Sequence, residues 1–123
     1  MPHRVLVVDD VRDTAETLTR LVVGLGYEGR SISDPREAVA AASTFKPTVV
    51  LLDIGMPYIN GYELCPLLRD ALAPTPVRIV AVTAWGSPQD RAHSKAVGFD
   101  AHLVKPVGLD LIDATIKQLL PKN

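Results

Sequence analysis

The chain has 123 residues, of which 47% are hydrophobic and 22% charged, and a formal net charge of −1 at pH 7. This is the size and composition of one ordinary globular domain, able to bury roughly two-thirds of its unfolded surface. There is no basic excess to attract nucleic acid, too few aromatics for a base-stacking platform, no apolar run of membrane-spanning length, and a single cysteine, Cys65, which excludes an internal disulfide or a multi-cysteine zinc site.

Met1-Pro2-His3-Arg4 carries no secretory signal, so a cytoplasmic setting is expected, and Arg4–Val8 reads as the first strand. From about Asp13 to Leu25, Ala15, Leu18, Val22 and Leu25 recur at helical spacing; Asp13 with Glu16 suggests a capping box and Gly26 a stop. Glu28–Ser33 is too polar for a strand buried on both faces, which places it at a sheet edge. Asp34-Pro35-Arg36-Glu37 is a helix start, and the helix it opens is expected to bury Ala38, Ala41, Ala42 and Phe45. Thr48–Asp53 is the third strand, followed by a turn at Gly55–Gly61. A third helix then runs from about Gly61 to Leu72, its early turns expected to be distorted by Pro66. After a loop at Ala73–Pro76 come a strand at Val77–Thr83, a loop at Ala84–Pro88 and a short helix to about Val97. The fifth strand is Ala101–Val104, and a last helix puts Leu109, Ile112, Ile116 and Leu119 on one face. The alternation predicts an α/β fold of (βα)5 type with right-handed crossovers.

Four of these strands end on residues that handle phosphate or metal: Asp9-Asp10, Asp53, Thr83 and Lys105-Pro106. The C-termini of parallel strands share one edge, where open α/β folds bind their ligands. Mg²⁺ takes oxygen ligands, commonly one or two carboxylates, and clustered acids repel one another unless a cation lies among them. A hydroxyl and an ammonium add what a transferring phosphoryl group needs, a hydrogen bond and charge neutralisation. Asp53 is then placed to attack phosphorus as a carboxylate nucleophile, giving an acyl phosphate. Taken singly, Asp-Asp after a strand is often a solvated turn, and a lone lysine is a surface charge. Their coincidence at four strand ends favours one shared site.

Val7-Val8-Asp9-Asp10, Leu51-Leu52-Asp53-Ile54-Gly55-Met56-Pro57-Tyr58-Ile59-Asn60-Gly61, Val82-Thr83-Ala84 and Val104-Lys105-Pro106 carry a more specific signal. With intervals of 43 residues from Asp10 to Asp53, 30 to Thr83 and 22 to Lys105, they resemble a response-regulator receiver domain of two-component signalling over essentially the whole chain. The resemblance implies a flavodoxin-like (βα)5 doubly wound sandwich, strand order 2-1-3-4-5, and one receiver domain over residues 1–123 with no output domain in this chain. It implies Asp53 as phosphoacceptor and Mg²⁺, with Mn²⁺ as an alternative, held by Asp9, Asp10, Asp53 and the Gly55 backbone carbonyl. Thr83, the Ala84 backbone N–H and Lys105 would contact the phosphoryl group, and the peptide bond before Pro106 would be cis. The implied donor is a histidine kinase or a His-containing phosphotransfer domain. The output would be an altered protein-binding surface on the fourth helix, fifth strand and last helix. Such a domain catalyses only its own phosphorylation and dephosphorylation; nucleic-acid and membrane contacts are not expected, and a homodimer is left open. The stretch from Ala84 to Pro106 also resembles receivers at the C-terminus of hybrid sensor histidine kinases.

Three other readings compete. A haloacid-dehalogenase-type phosphatase would need Asp-x-Asp after the first strand, where this chain has Asp9-Asp10. A flavin-binding module would need a phosphate-cradling loop where these acids stand. A receiver-like docking module that is never phosphorylated would not need the full set of five residues. Two departures from the receiver pattern also matter. His102 stands where most receivers carry Tyr or Phe, and it reads either as a satisfied edge-strand histidine or as a replacement switch residue acting with Thr83. Trp85, two residues beyond Thr83 and opposite the small Gly55, reads either as an exposed loop aromatic or as a shield that slows hydrolysis of the acyl phosphate.

Overall fold

In the computed structural model, which describes residues 3–120, five parallel strands form one sheet in the order β2-β1-β3-β4-β5. They are β1 (Arg4–Val8), β2 (Glu28–Ile32), β3 (Val49–Leu52), β4 (Arg78–Thr83) and β5 (Ala101–Val104). The helices are α1 (Arg12–Gly24), α2 (Ala38–Phe45), α3 (Gly61–Leu72), α4 (Pro88–Val97) and α5 (Leu109–Leu119). The expected order and doubly wound architecture are those observed, with the polar β2 at an edge.

Alternate residues of each central strand enter different cores, which is why β1, β3 and β4 read as unbroken apolar runs. Leu6, Val8, Val50, Leu52, Ile79 and Ala81 pack against Ala38 and Ala42 of α2 and Leu64, Cys65 and Leu68 of α3. Val5, Val7, Val49, Leu51, Val80 and Val82 pack against Ala15, Leu18 and Val22 of α1 and Ile112 and Ile116 of α5. No helix of the described residues is long and apolar enough to cross a membrane.

Several local expectations are corrected. Asp13 does not cap α1: the helix starts at Arg12, Val11 is the N-cap without a side-chain bond, and Asp13 lies in the first turn, where its charge suits the helix dipole. The Asp34 carboxylate does accept from the Arg36 N–H, but a short 3₁₀ turn at Pro35–Glu37 precedes α2. Ala41 and Phe45 are only partly buried, because α2 packs mainly through Ala38 and Ala42. Helix α3 runs continuously through Pro66, started by a reciprocal capping box between Asn60 and Glu63. Leu109, at the first turn of α5, is 43% exposed rather than part of the buried stripe.

Candidate functional site

The site is assembled by the register of the sheet. Val8 pairs with Leu52, and the Asp53 N–H extends that ladder to the Val8 carbonyl at 2.9 Å. Asp9, Asp10 and Asp53 therefore leave the same edge, with a carboxylate oxygen from each within 4.8 Å of the others. On the other side Thr83 pairs with Val104, and the Lys105 N–H bonds the Thr83 carbonyl at 2.9 Å. From there Lys105 Nζ reaches back to donate to Asp9 Oδ2 at 2.6 Å and to Asp53 Oδ2 at 3.3 Å.

Asp9 and Asp53 are buried at 1% and 7% exposure. The Val11 N–H donates to Asp9 Oδ1 at 3.0 Å and the Ile54 N–H to Asp53 Oδ1 at 2.8 Å. Burial, followed by the Asp9 charge, raises the Asp53 carboxyl above the ordinary aspartate value, although Lys105 opposes both. Burial works against the Lys105 ammonium, but the two carboxylates it touches outweigh that and hold its pKa above the usual lysine value. Three carboxylates against one ammonium leave an excess of negative charge in a small oxygen-rich pocket. That donor set fits a hard divalent cation such as Mg²⁺.

The walls of the pocket depend on two glycines. Gly61, whose N–H bonds the Ile54 carbonyl at 2.9 Å, folds so close to β3 that a Cβ there would stand 2.5 Å from the Asp53 carbonyl oxygen. Gly55 lies under the Trp85 indole: a Cβ would come within 2.8 Å of Cζ2. Trp85 itself is 46% exposed, and its N–H donates to Thr83 Oγ1 at 3.2 Å. Thr83 is buried, Ala84 is exposed, and the Lys105–Pro106 peptide is cis. Tyr58, in the left-handed region at φ 70°, lies under the Arg36 guanidinium at 4.0 Å, joining the loop after Asp53 to the start of α2. A cleft of about 460 Å³ opens beside Lys105, between α1 and the segment after β5, and its lining includes Thr14, Leu18, Leu21, Pro106 and Val107.

His102 lies outside the acidic pocket. Its Nε2 is 2.7 Å from the Trp85 carbonyl and its Nδ1 is 2.8 Å from Ser94 Oγ of α4. Sequence reading missed Ser94, because nothing in the spacing of α4 marks it as the residue turned inward. It also missed Asp100, whose carboxylate takes the Arg69 guanidinium at 2.7 Å and the Ile79 N–H at 2.8 Å, linking α3, β4 and the start of β5. His93 is exposed but stacks on Tyr62, ring centroids 3.8 Å apart.

Known proteins resemble this chain in sequence and in fold. Residues 5–117 match the family model described as "Response regulator receiver domain". Protein RcaC of Microchaete diplosiphon is 31% identical over 97% of this chain, which spans 18% of that protein. Response regulator MprA of Mycolicibacterium vanbaalenii is 37% identical over the whole chain, which spans 52% of it. Among solved structures, Vibrio cholerae chemotaxis protein CheY4 superposes with a TM-score of 0.88 at 30% identity, covering 98% of this chain and 100% of that one.

Proposed function

The chain belongs to the family of response regulator receiver domains, which serve phosphorelay signalling, and on that premise we propose that Asp53 is the residue that accepts the phosphoryl group. The observation that carries the proposal is the meeting of Asp9, Asp10, Asp53 and Lys105 at one strand edge. The donor is a phosphohistidine of a histidine kinase or of a His-containing phosphotransfer domain. An Asp53 carboxylate oxygen attacks phosphorus, the P–O bond forms as the P–N bond breaks, and the imidazole leaves with the bonding pair and takes up a proton from water.

Asp9, Asp10, Asp53 and the Gly55 carbonyl would hold Mg²⁺, which supplies charge neutralisation and oxygen coordination for the phosphoryl group. Lys105 offsets the negative charge that spreads over the transferring group. Thr83 and the Ala84 N–H donate to phosphoryl oxygens once the group is in place. Trp85, seated on Gly55 at the lip of the pocket, restricts the approach of water to the acyl phosphate. The cleft beside Lys105 gives the donor protein an apolar shelf next to the reacting atoms.

Incubation with Mg²⁺ and a small phosphodonor, followed by intact-mass measurement, tests the assignment. A single phosphoryl adduct is expected in the wild type and none in Asp53→Ala or with chelator. An adduct that persists in Asp53→Ala would refute it.

A further inference from the structure

We propose that Arg36 is a positioning residue for the metal site: its guanidinium, stacked on Tyr58, holds the loop after Asp53 in the fold that fixes the Gly55 backbone. The proposal rests on the reading that Asp9, Asp10, Asp53 and the Gly55 carbonyl hold Mg²⁺. It concerns the one ligand of that set that is not a side chain.

The loop closes at its base, where the Gly61 N–H bonds the Ile54 carbonyl at 2.9 Å. Inside that closure two three-residue turns follow one another. The Met56 N–H bonds the Ile54 carbonyl at 3.0 Å around Gly55, and the Ile59 N–H bonds the Pro57 carbonyl at 2.8 Å around Tyr58. With φ at 70°, Tyr58 has the hand of the γ-turn that is rare and strained, a conformation glycine adopts at no steric cost. A bulky residue stays there only where its surroundings hold it. Ile54, Met56 and in part Ile59 root the loop in the core, but Tyr58 is 75% exposed and gains no such hold. What it meets is Arg36, whose guanidinium carbon lies 4.0 Å from the ring centroid. Arg36 is itself fixed by Asp34, whose carboxylate accepts from Nε at 3.1 Å, from Nη2 at 3.0 Å and from the Arg36 backbone N–H at 3.0 Å. The planar cation is thus set in place before Tyr58 packs against it.

The direct electrostatic effect of Arg36 has the opposite sign to this positioning effect, which makes the two separable. A positive charge near an acidic pocket repels a cation, so its removal would by Coulomb's law alone tighten Mg²⁺ binding. The stack predicts the reverse. Without Arg36, Tyr58 relaxes out of the left-handed region, the turn around it opens, and the Gly55 carbonyl is no longer fixed. A cation–π contact at an exposed site is enough to change the population of the closed loop by about two- to fivefold.

The test is a cycle of wild type, Arg36→Ala, Tyr58→Gly and the double variant, titrated with Mg²⁺ by calorimetry and compared in thermal unfolding in EDTA. Both side chains are exposed, so all four proteins are expected to keep their melting transitions. In Arg36→Ala the Kd for Mg²⁺ is expected to rise about two- to fivefold. Glycine needs no support at φ 70°, so Tyr58→Gly and the double variant are expected to bind Mg²⁺ alike, within about twofold of each other. With a small phosphodonor, Arg36→Ala should need more Mg²⁺ for half-maximal adduct formation and reach the wild-type rate at saturation. A Kd in Arg36→Ala at or below the wild-type value would overturn the positioning role and leave the metal site standing. Equal weakening by Arg36→Ala on the Tyr58→Gly background would overturn it too, because the effect would not pass through the stack. Absence of Mg²⁺ binding in the wild type would overturn the metal-site reading and this proposal with it.

Discussion

Replacing Asp10 with Asn is expected to stabilise the metal-free protein, because the carboxylate is held among others of the same sign. Its nearest oxygen lies within 4.8 Å of Asp9 and Asp53, a separation at which two unit charges repel by about 0.9 kcal/mol in bulk water and about 3.5 kcal/mol at an effective dielectric of 20. Asp10 is only partly buried, so the lower figure is the closer guide, and the lost attraction to Lys105 cancels part of the gain. The net effect is about 1 kcal/mol, which for a domain of this size corresponds to about 3–5 °C in Tm. Thermal unfolding followed by circular dichroism in EDTA and in millimolar Mg²⁺ separates the two halves of the argument. In EDTA the variant melts higher. With Mg²⁺ the wild type gains, by about 2.7 kcal/mol when the ion is at a hundred times its Kd, and the variant gains much less. A lower Tm for Asp10→Asn in EDTA would refute mutual repulsion. An undiminished Mg²⁺ effect would refute Asp10 as a ligand.

Trp85→Ala is expected to shorten the lifetime of the acyl phosphate several-fold, measured as loss of the mass adduct with time; an unchanged rate would remove shielding from its role. Gly61→Ala would push a methyl against the Asp53 carbonyl and Ile54 Cα, both backbone atoms unable to yield, so urea unfolding should show a loss of about 2 kcal/mol and phosphorylation should fall with it. Asp100→Ala strips partners from the half-buried Arg69 guanidinium and from the Ile79 N–H, with an expected cost of about 2–3 kcal/mol in the same assay and no direct effect on Mg²⁺ affinity.

What the sequence showed and what it hid divide along a physical line. Runs such as Val5–Val8 and Val49–Leu52 are apolar throughout because both faces of a central parallel strand are covered, and so the polar residue ending each run marks the open edge. Periodicity and termination are local properties, readable in order along the chain. The contacts that went unseen join residues of different elements: Arg69 to Asp100, and Ser94 to His102 to Trp85. His102 could be noticed as a departure from a pattern, but its two partners exist only once β5, α4 and the loop after Thr83 have come together. The start of α1 was misread for a different reason. An acid inside the first turn of a helix and an acid capping it look alike in sequence, and here the dipole, not a cap, accounts for Asp13.

Helix α4 buries one side chain, a serine, where α1 and α5 each bury three. Beyond that serine, which bonds His102, its side chains reach the rest of the molecule through the partly buried Val97, the surface stack of His93 on Tyr62 and the Arg91 hydrogen bond to the His102 carbonyl. An element held by so little apolar area sits at the shallow end of the molecule's stability range, so its backbone amides are expected to take up deuterium well before those of α1 or α5. The same scarcity of greasy anchors means that a rearrangement confined to this flank leaves both cores sealed.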